Sequence, residues 1–506
     1  MTQLTTPFTN EDYNIYGLVN LPEVVKGALL SRYSRSTESL RTIYDTEFAQ
    51  AATLKADAFY ERVLIGYGDD SIAELGNAQI ACEDISILAA KALQDCRVGL
   101  SFIEKSTRYV DFTKRSDEKK PYYIPMFFTA QEQHQYILAL DGMFEDYSEV
   151  LAATERMLSD TLPQPDDVSY YVYAKAIKAK TFDLTRGLLP LATLTSVGIS
   201  GNGRAFEQLL IKLNSSSNPE LVLIATQIHQ ELSKTMAPFV KRVEHPYGLA
   251  TSKYLADRKM RLDNWVANYP DPDSLKAEAT SILAGATRLI QWELEEDALV
   301  SIAYNALAEL GYKPNLDTLT TVDVGDLVQL LKEYIGTRAV RQHKVGRALE
   351  SVRYQLEVDL DIGAWRDLQR HRCLSQAVSQ FTFPTGHGFY LPELFKKNDV
   401  GYKYIQALDD SQEWYDTLQT PYAVPLAATV QWTLDINLRE AVYLCELRSG
   451  EQGHESYRQV AIDIYNAIAK VHPTIAAICF QHVNLNQYPL SRLSSETKQE
   501  AKQKRL

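Results

Sequence analysis

Two short stretches of this chain carry residue types that can bind an anion. The first is Arg370-His371-Arg372, which closes the segment Ala364–Arg372. The spacing there predicts a helix, with Arg366 and Arg370, Asp367 and His371, and Leu368 and Arg372 each one turn apart. Guanidinium groups grip phosphate or a ring carbonyl through paired hydrogen bonds. The alternative for a lone basic triplet is a solvated helix end favoured by the helix dipole. The second stretch is Ser101-Phe102-Ile103-Glu104-Lys105-Ser106-Thr107-Arg108-Tyr109. Its hydroxyl two residues before an arginine can hold phosphate from two sides.

The cysteines suggest less chemistry. Cys82, Cys96, Cys373, Cys445 and Cys479 are widely spaced, form no CxxC and resemble no zinc site. Cys82 and Cys445 lie in apolar helical surroundings and are expected as small buried hydrophobes. Cys373 follows the basic triplet, where positive charge can lower a thiol pKa; a packing role is still the expectation. Such cysteine usage points to a reducing, cytoplasmic setting.

Helical periodicity dominates the elements that must position these residues, as at 205–236 and 438–471. The alternation at 352–360 predicts a half-buried strand, so the chain mixes α and β. His245–Gly248 and Asn268–Ser274 read as linkers, Thr385-Gly386-His387-Gly388 as a turn, and the polar tail 494–506 as frayed. The 506 residues, 45% hydrophobic and 23% charged, exclude a disordered or collagen-like chain and suggest about three domains. No apolar run of 18 residues spans a membrane, and the N-terminal sequence lacks the pattern of a signal peptide. A net charge of −13 disfavours bulk nucleic acid and anionic lipid as partners, though local arginines can still hold a small anion.

An internal repeat reduces three domains to two copies of one fold. Residues 190–204 (PLATLTSVGISGNGR) and 425–439 (PLAATVQWTLDINLR) share their Pro-Leu-Ala start and Asn-x-Arg end. Residues 81–97 align without a gap on 356–372, and Glu74 and Glu350 lie at nearly equal distances upstream. The copies are expected to occupy 1–250 and 251–506.

The two stretches first described fall at corresponding positions of this repeat, and each copy lacks what the other keeps. Opposite Glu104, Ser106, Arg108 and Tyr109 stand Val378, Gln380, Thr382 and Phe383, and opposite His371 stands Cys96. Together they resemble the signature RHRxxSxNExSxRY of the flavin-dependent thymidylate synthases, with its front in the C-terminal half and its back in the N-terminal half. The signature Asn is Ile103 in one copy and Ala377 in the other. Two further arginines of the family are divided likewise: Arg186 faces Pro421, and Arg448 faces Leu213. The resemblance leaves the segments near 115–180 and 384–420 unexplained. It also finds no histidine at the family's SxxEH block, for which Ser71–Leu75 and Arg347–Ser351 are the candidates.

This resemblance implies an α+β chain, two tandem diverged copies of the family fold with helices packed on a mainly antiparallel sheet. It implies FAD held by Arg370, His371 and Arg372, and dUMP lined by Glu104, Ser106 and Arg108. Arg186 would join Arg108 on the phosphate and Arg448 would face the pyrimidine, so that Ser106 and Arg448 stand nearest the chemistry. Methylenetetrahydrofolate and NADPH would be co-substrates, and dTMP the product. No nucleophilic cysteine is required. Fusion of two copies lets each specialise in one side of an interface, so one composite site per chain and a homodimer forming a pseudo-tetramer are expected. Alternatives are a related flavin enzyme acting on another pyrimidine nucleotide or installing another C5 group, and a non-catalytic nucleotide-binding descendant. His454, in the segment His454–Arg458, is expected to be structural.

Overall fold

The computed structural model describes residues 6–49, 70–113, 119–271, 287–383, 388–396 and 398–503. Of the turn at Thr385–Gly388 only Gly388 falls within them, and residues 272–274 of the second expected linker also lie outside. Among the described residues seven strands are formed: β1 Asn77–Ser86, β2 Leu100–Glu104, β3 Leu194–Asn202, β4 Thr287–Gln291, β5 Arg353–Asp361, β6 Leu374–Val378 and β7 Thr429–Asn437. All of their pairings are antiparallel.

The described residues within Met1–Lys105, Pro125–Phe127 and Leu194–Ala277 form one compact unit. Those within Ser106–Ile124, Phe128–Thr193 and Glu278–Leu506 form another. Much of the second half of the N-terminal copy thus packs in the second unit. The helix Pro246–Ala267, with His245 as its cap, runs through residue 250, and the linker expected at His245–Gly248 is instead this helix's start.

In the first unit the sheet order is β1-β3-β2. Val197 and Ile199 of β3 are buried together with Phe206, Leu209 and Leu210 of the helix Gly203–Asn214 and Phe239 of Pro219–Val240. In the second unit the order is β4-β5-β7-β6, so β5-β7-β6 repeats the first sheet with β4 added at its edge. Here Leu356, Val358, Trp432 and Leu434 are buried with Ala441, Leu444, Ile464 and Ile468 from the helices Leu438–Arg448 and Glu455–Val471.

The repeat extends to the caps. Ser86 caps the helix Ile87–Gln94 as Asp361 caps Ile362–Leu368, and Asn202 caps Gly203–Asn214 as Asn437 caps Leu438–Arg448. The Asn-x-Arg blocks end on equivalent ion pairs, Arg204–Glu74 at 2.5 Å and Arg439–Glu350 at 2.6 Å. One difference is a bulge between Cys82 and Ile85, where Asp84 adopts φ +52°. It shifts the pairing of β1 with β3 by one residue, whereas β5 and β7 pair without interruption. The ungapped sequence alignment passes over this bulge.

Within the second unit the two Pro-Leu-Ala blocks meet. Pro190 bridges Pro425, and the flanking hydrogen bonds are reciprocal. Leu191 N donates to Val424 O and Leu426 N to Leu189 O, each at 2.9 Å; Ala192 N donates to Tyr422 O and Ala427 N to Gly187 O. Each residue of one pair is the repeat equivalent of a residue in the other, so this crossing has a local two-fold character. Gly187 is required there, since a Cβ would collide with the Tyr404 hydroxyl. The two segments that the repeat leaves unexplained contribute the helices Ala130–Thr161 and Asp399–Leu418, which pack on each other with Gly142 against Trp414.

Two further expectations are corrected. The helix at Ala364 stops at Leu368, and the basic triplet lies in the turn beyond it, where His371 N bonds Leu368 O. The tail is a helix, Leu493–Gln503, rather than frayed. It is anchored by Lys175–Glu496 at 3.1 Å and by Ser169 Oγ donating to Glu500 at 2.8 Å.

Candidate functional site

A network of buried charge fills the second unit. Arg108 lies just past β2 and Asp183 near the end of the helix Tyr170–Thr185. Arg108 donates through Nε and Nη2 to the two Asp183 oxygens at 2.7 and 2.8 Å. It also donates to the Tyr457 hydroxyl at 3.1 Å and to Gln452 O at 3.1 Å. Arg492 approaches the same Asp183 at 3.3 Å. Burial opposes the charge on Asp183, but Arg108 and Arg492 outweigh it and hold the carboxyl well below the usual range.

Arg186, beginning the turn after that helix, donates from Nη1 to Asp367 Oδ2 at 3.1 Å. Its other terminal nitrogen, Nη2, is buried and, among the described residues, has no hydrogen-bond acceptor. Burial likewise opposes ionisation of Asp367, and Arg186, Arg108 and Arg448 more than offset it. Arg108 and Arg186 from the first copy and Arg448 from the second thus bear electrostatically on one carboxylate, to which Arg186 is hydrogen-bonded. Tyr457 joins them as well: the guanidinium carbons of Arg108 and Arg448 each lie 5.7 Å from its ring centroid.

Asp361 caps its helix through Ala364 N and accepts a hydrogen bond from Ser456 Oγ. The first unit inverts this pair, with Ser86 Oγ donating to Glu220 at 2.7 Å.

His371 is buried, and both its ring nitrogens are used. Arg448 Nε donates to Nε2 at 3.0 Å, which leaves Nδ1–H to donate to Glu440 at 2.7 Å. Burial pushes its pKa down and Arg448 adds to this, against the upward pull of Glu440, and the accepting Nε2 marks the neutral tautomer. Arg372 is exposed and Arg370 half-buried on either side of it. His371 is turned inward and fits a supporting role under Arg448.

The remaining expected site residues are placed as follows. Ser106 accepts a hydrogen bond from Arg108 N at 3.2 Å, so its hydroxyl closes a local turn. Glu104 lies in the first unit, nearly buried, bound to Lys91 at 2.7 Å and Gln94 at 2.8 Å. Arg108, Arg186, Arg370, His371, Arg372 and Arg448 all lie in the second unit with Ser106.

His454 accepts Ser456 N and bonds Asp183 O at 2.8 Å, which is the structural role expected of it. Burial drives its pKa down to about 3. Cys82 and Cys445 are buried, and burial raises both thiols. Cys373 departs from expectation on both counts: it is exposed, and its thiol is raised, with partial burial and Glu440 outweighing Arg439 and Arg372. Asp183, Asp367, Tyr457 and Arg492 were not singled out as site residues by sequence reasoning. The available signal was acid count: buried arginines need carboxylates, and Asp183 lies one helical turn before Arg186. Among the described residues no cluster suits a metal ion, and no helix is long and apolar enough to cross a membrane.

A family model described as "Thymidylate synthase complementing protein" matches the chain twice, over residues 24–238 and 288–474. A UPF0159 protein of Chlamydia muridarum is 34% identical over 97% of this chain and 96% of the relative. A UPF0159 protein of Thermoplasma acidophilum is 30% identical over 94% of this chain and 99% of the relative. Among solved structures, Thymidylate Synthase X from Helicobacter pylori with FAD and dUMP is 18% identical, at a TM-score of 0.29, covering 39% of this chain and 100% of that one.

Proposed function

Since the chain belongs to the thymidylate synthase complementing protein family, we propose that it is a flavin-dependent enzyme methylating dUMP to dTMP at one composite site. Methylenetetrahydrofolate is the carbon donor and NADPH the reductant on this reading. The observation that carries it is that Arg108 and Arg448 share the Tyr457 ring while Arg186 bonds Asp367. Each of the three stands where the other copy has Thr382, Pro421 or Leu213. Random decay scatters losses over both copies, whereas retention of one site makes them complementary.

In this account Arg186 faces the nucleotide phosphate, with Arg108 fixing the local charge. Arg448 faces the pyrimidine, where a guanidinium stabilises negative charge that develops on a ring carbonyl. Neutral His371, braced by Glu440, orients Arg448 by accepting from its Nε. Ser106 is proposed as a nucleotide-lining residue. Arg370 and Arg372 are proposed to hold FAD, which when bound supplies the hydride. A chain that already contains two copies would dimerise to reach a four-copy assembly.

A second reading, a related flavin enzyme acting on another pyrimidine nucleotide or C5 group, draws on one observation. Glu74 and Glu350, the glutamates of the two candidate SxxEH blocks, are engaged by Arg204 and Arg439, and neither block has its histidine.

The purified protein should carry or take up FAD and show flavin absorbance. A folded protein that stays colourless with added FAD overturns both readings. Growth of a thymidine-requiring host separates them: rescue supports dUMP methylation, and no rescue by a flavin-loaded protein favours altered chemistry.

A further inference from the structure

We propose that Asp367 is an internal stand-in for the ligand's phosphate, holding Arg186 until a phosphate monoester displaces it. This rests on the nucleotide reading above but concerns a residue that reading does not assign. The Asp367 side chain is 33% exposed and that of Arg186 only 4%. The acid therefore reaches a buried base from the solvent side, as a ligand does. Its contact is half-made: one carboxylate oxygen meets one Arg186 nitrogen at 3.1 Å, while Nη2 is buried with no acceptor among the described residues. Among the described residues, the bond to Arg186 is the single hydrogen bond recorded for the Asp367 carboxylate.

Arg108 offers the contrast. Its Asp183 partner is almost wholly buried and engages it with both oxygens, and Tyr457 and Gln452 take further donors. Such a closed pair does not open for a ligand without stranding a buried carboxylate. Asp367 can swing to water when displaced. A phosphate has enough oxygens to engage both Arg186 terminal nitrogens in the fork geometry that the single carboxylate oxygen leaves incomplete. Arg108 and Arg448 lie close enough to bias Asp367 electrostatically, and they would act on an incoming dianion in the same way. The intrinsic acid thus lowers phosphate affinity by competition and keeps Arg186 paired when the site is empty.

The test titrates inorganic phosphate, and separately dUMP, into the full-length protein and its Asp367→Asn variant, read by calorimetry. Asp367→Asn should bind phosphate at least about tenfold tighter than the parent, and Arg186→Gln added to it should abolish the gain. Unchanged phosphate affinity in a folded Asp367→Asn protein, or a gain that survives Arg186→Gln, overturns the proposal. Should Asp367→Asn not fold, Asp367→Ser gives the same reading. Tighter phosphate binding without any dUMP binding supports the stand-in and sinks the nucleotide reading. Equal dUMP and phosphate binding by parent and variant does the reverse.

Discussion

The sheets β1-β3-β2 and β5-β7-β6 share their order, their caps and their Glu–Arg ion pair, yet differ in the charge around them. In the first, the helix after the opening strand sends Lys91 and Gln94 to Glu104, a small closed cluster. In the second, the corresponding helix leads to Asp367 and His371, which meet Arg186 and Arg448 in a network reaching Arg108, Tyr457 and Arg492. What the copies share maintains the fold. What they divide lies mostly in the second unit, Glu104 excepted. On the proposed one-site reading, duplication relieves each copy of supplying both sides of a site, and losses are expected where a side is no longer used.

This contrast is open to attack at several points. Removing a cation from the network should cost most. Arg108→Ala leaves the buried Asp183 carboxylate with only its longer contact to Arg492 and is expected to destabilise by roughly 3–5 kcal/mol, seen as a lowered unfolding midpoint. Thr382→Ala, at the exposed equivalent position, should leave the midpoint nearly unchanged. Equal effects would break the comparison. Tyr457→Phe removes the hydroxyl that accepts from Arg108, and a cost of about 1.5–3 kcal/mol is expected for a hydrogen bond to a charged group.

His454 gives a pH signature. Its folded pKa, about 3, lies below the ordinary value of 6.5, so the unfolded chain takes the proton first. Stability from the neutral ring is complete above pH 6.5 and is lost as pH falls toward 3, by up to about 1.4 kcal/mol per pH unit. His454→Asn, which keeps a capping side chain, should flatten the fall of the unfolding midpoint across that window. An unchanged slope would show that His454 is not held neutral. The smallest effects belong to the shared ion pairs. Glu74→Ala and Glu350→Ala, at partly exposed bridges, should each cost less than about 1 kcal/mol in thermal unfolding.

The repeat was legible because its shared residues do local work: Asn202 and Asn437 are caps, and the Pro-Leu-Ala blocks pair through reciprocal backbone bonds. The strand at β5 was legible from alternation, since its burial follows period two. The divided arginines were legible as absences in the partner copy. Their carboxylate partners were not, because Arg108 and Asp183, or Arg186 and Asp367, meet only through tertiary packing. The helix end at Leu368 was missed for the same reason: His371 leaves the helical path to reach Glu440 and Arg448. The tail helix depends on partners in the helix Tyr170–Thr185 and its cap, which its own polar sequence does not announce.

The central claim is that one nucleotide site is assembled from residues each copy alone retains. Its most direct test is a dUMP titration of Arg186→Ala beside Pro421→Ala, the equivalent position in the other copy. The account predicts that Arg186→Ala weakens dUMP binding by more than about tenfold while Pro421→Ala leaves it unchanged. Equal loss in both variants, or dUMP binding that ignores Arg186→Ala, would contradict it.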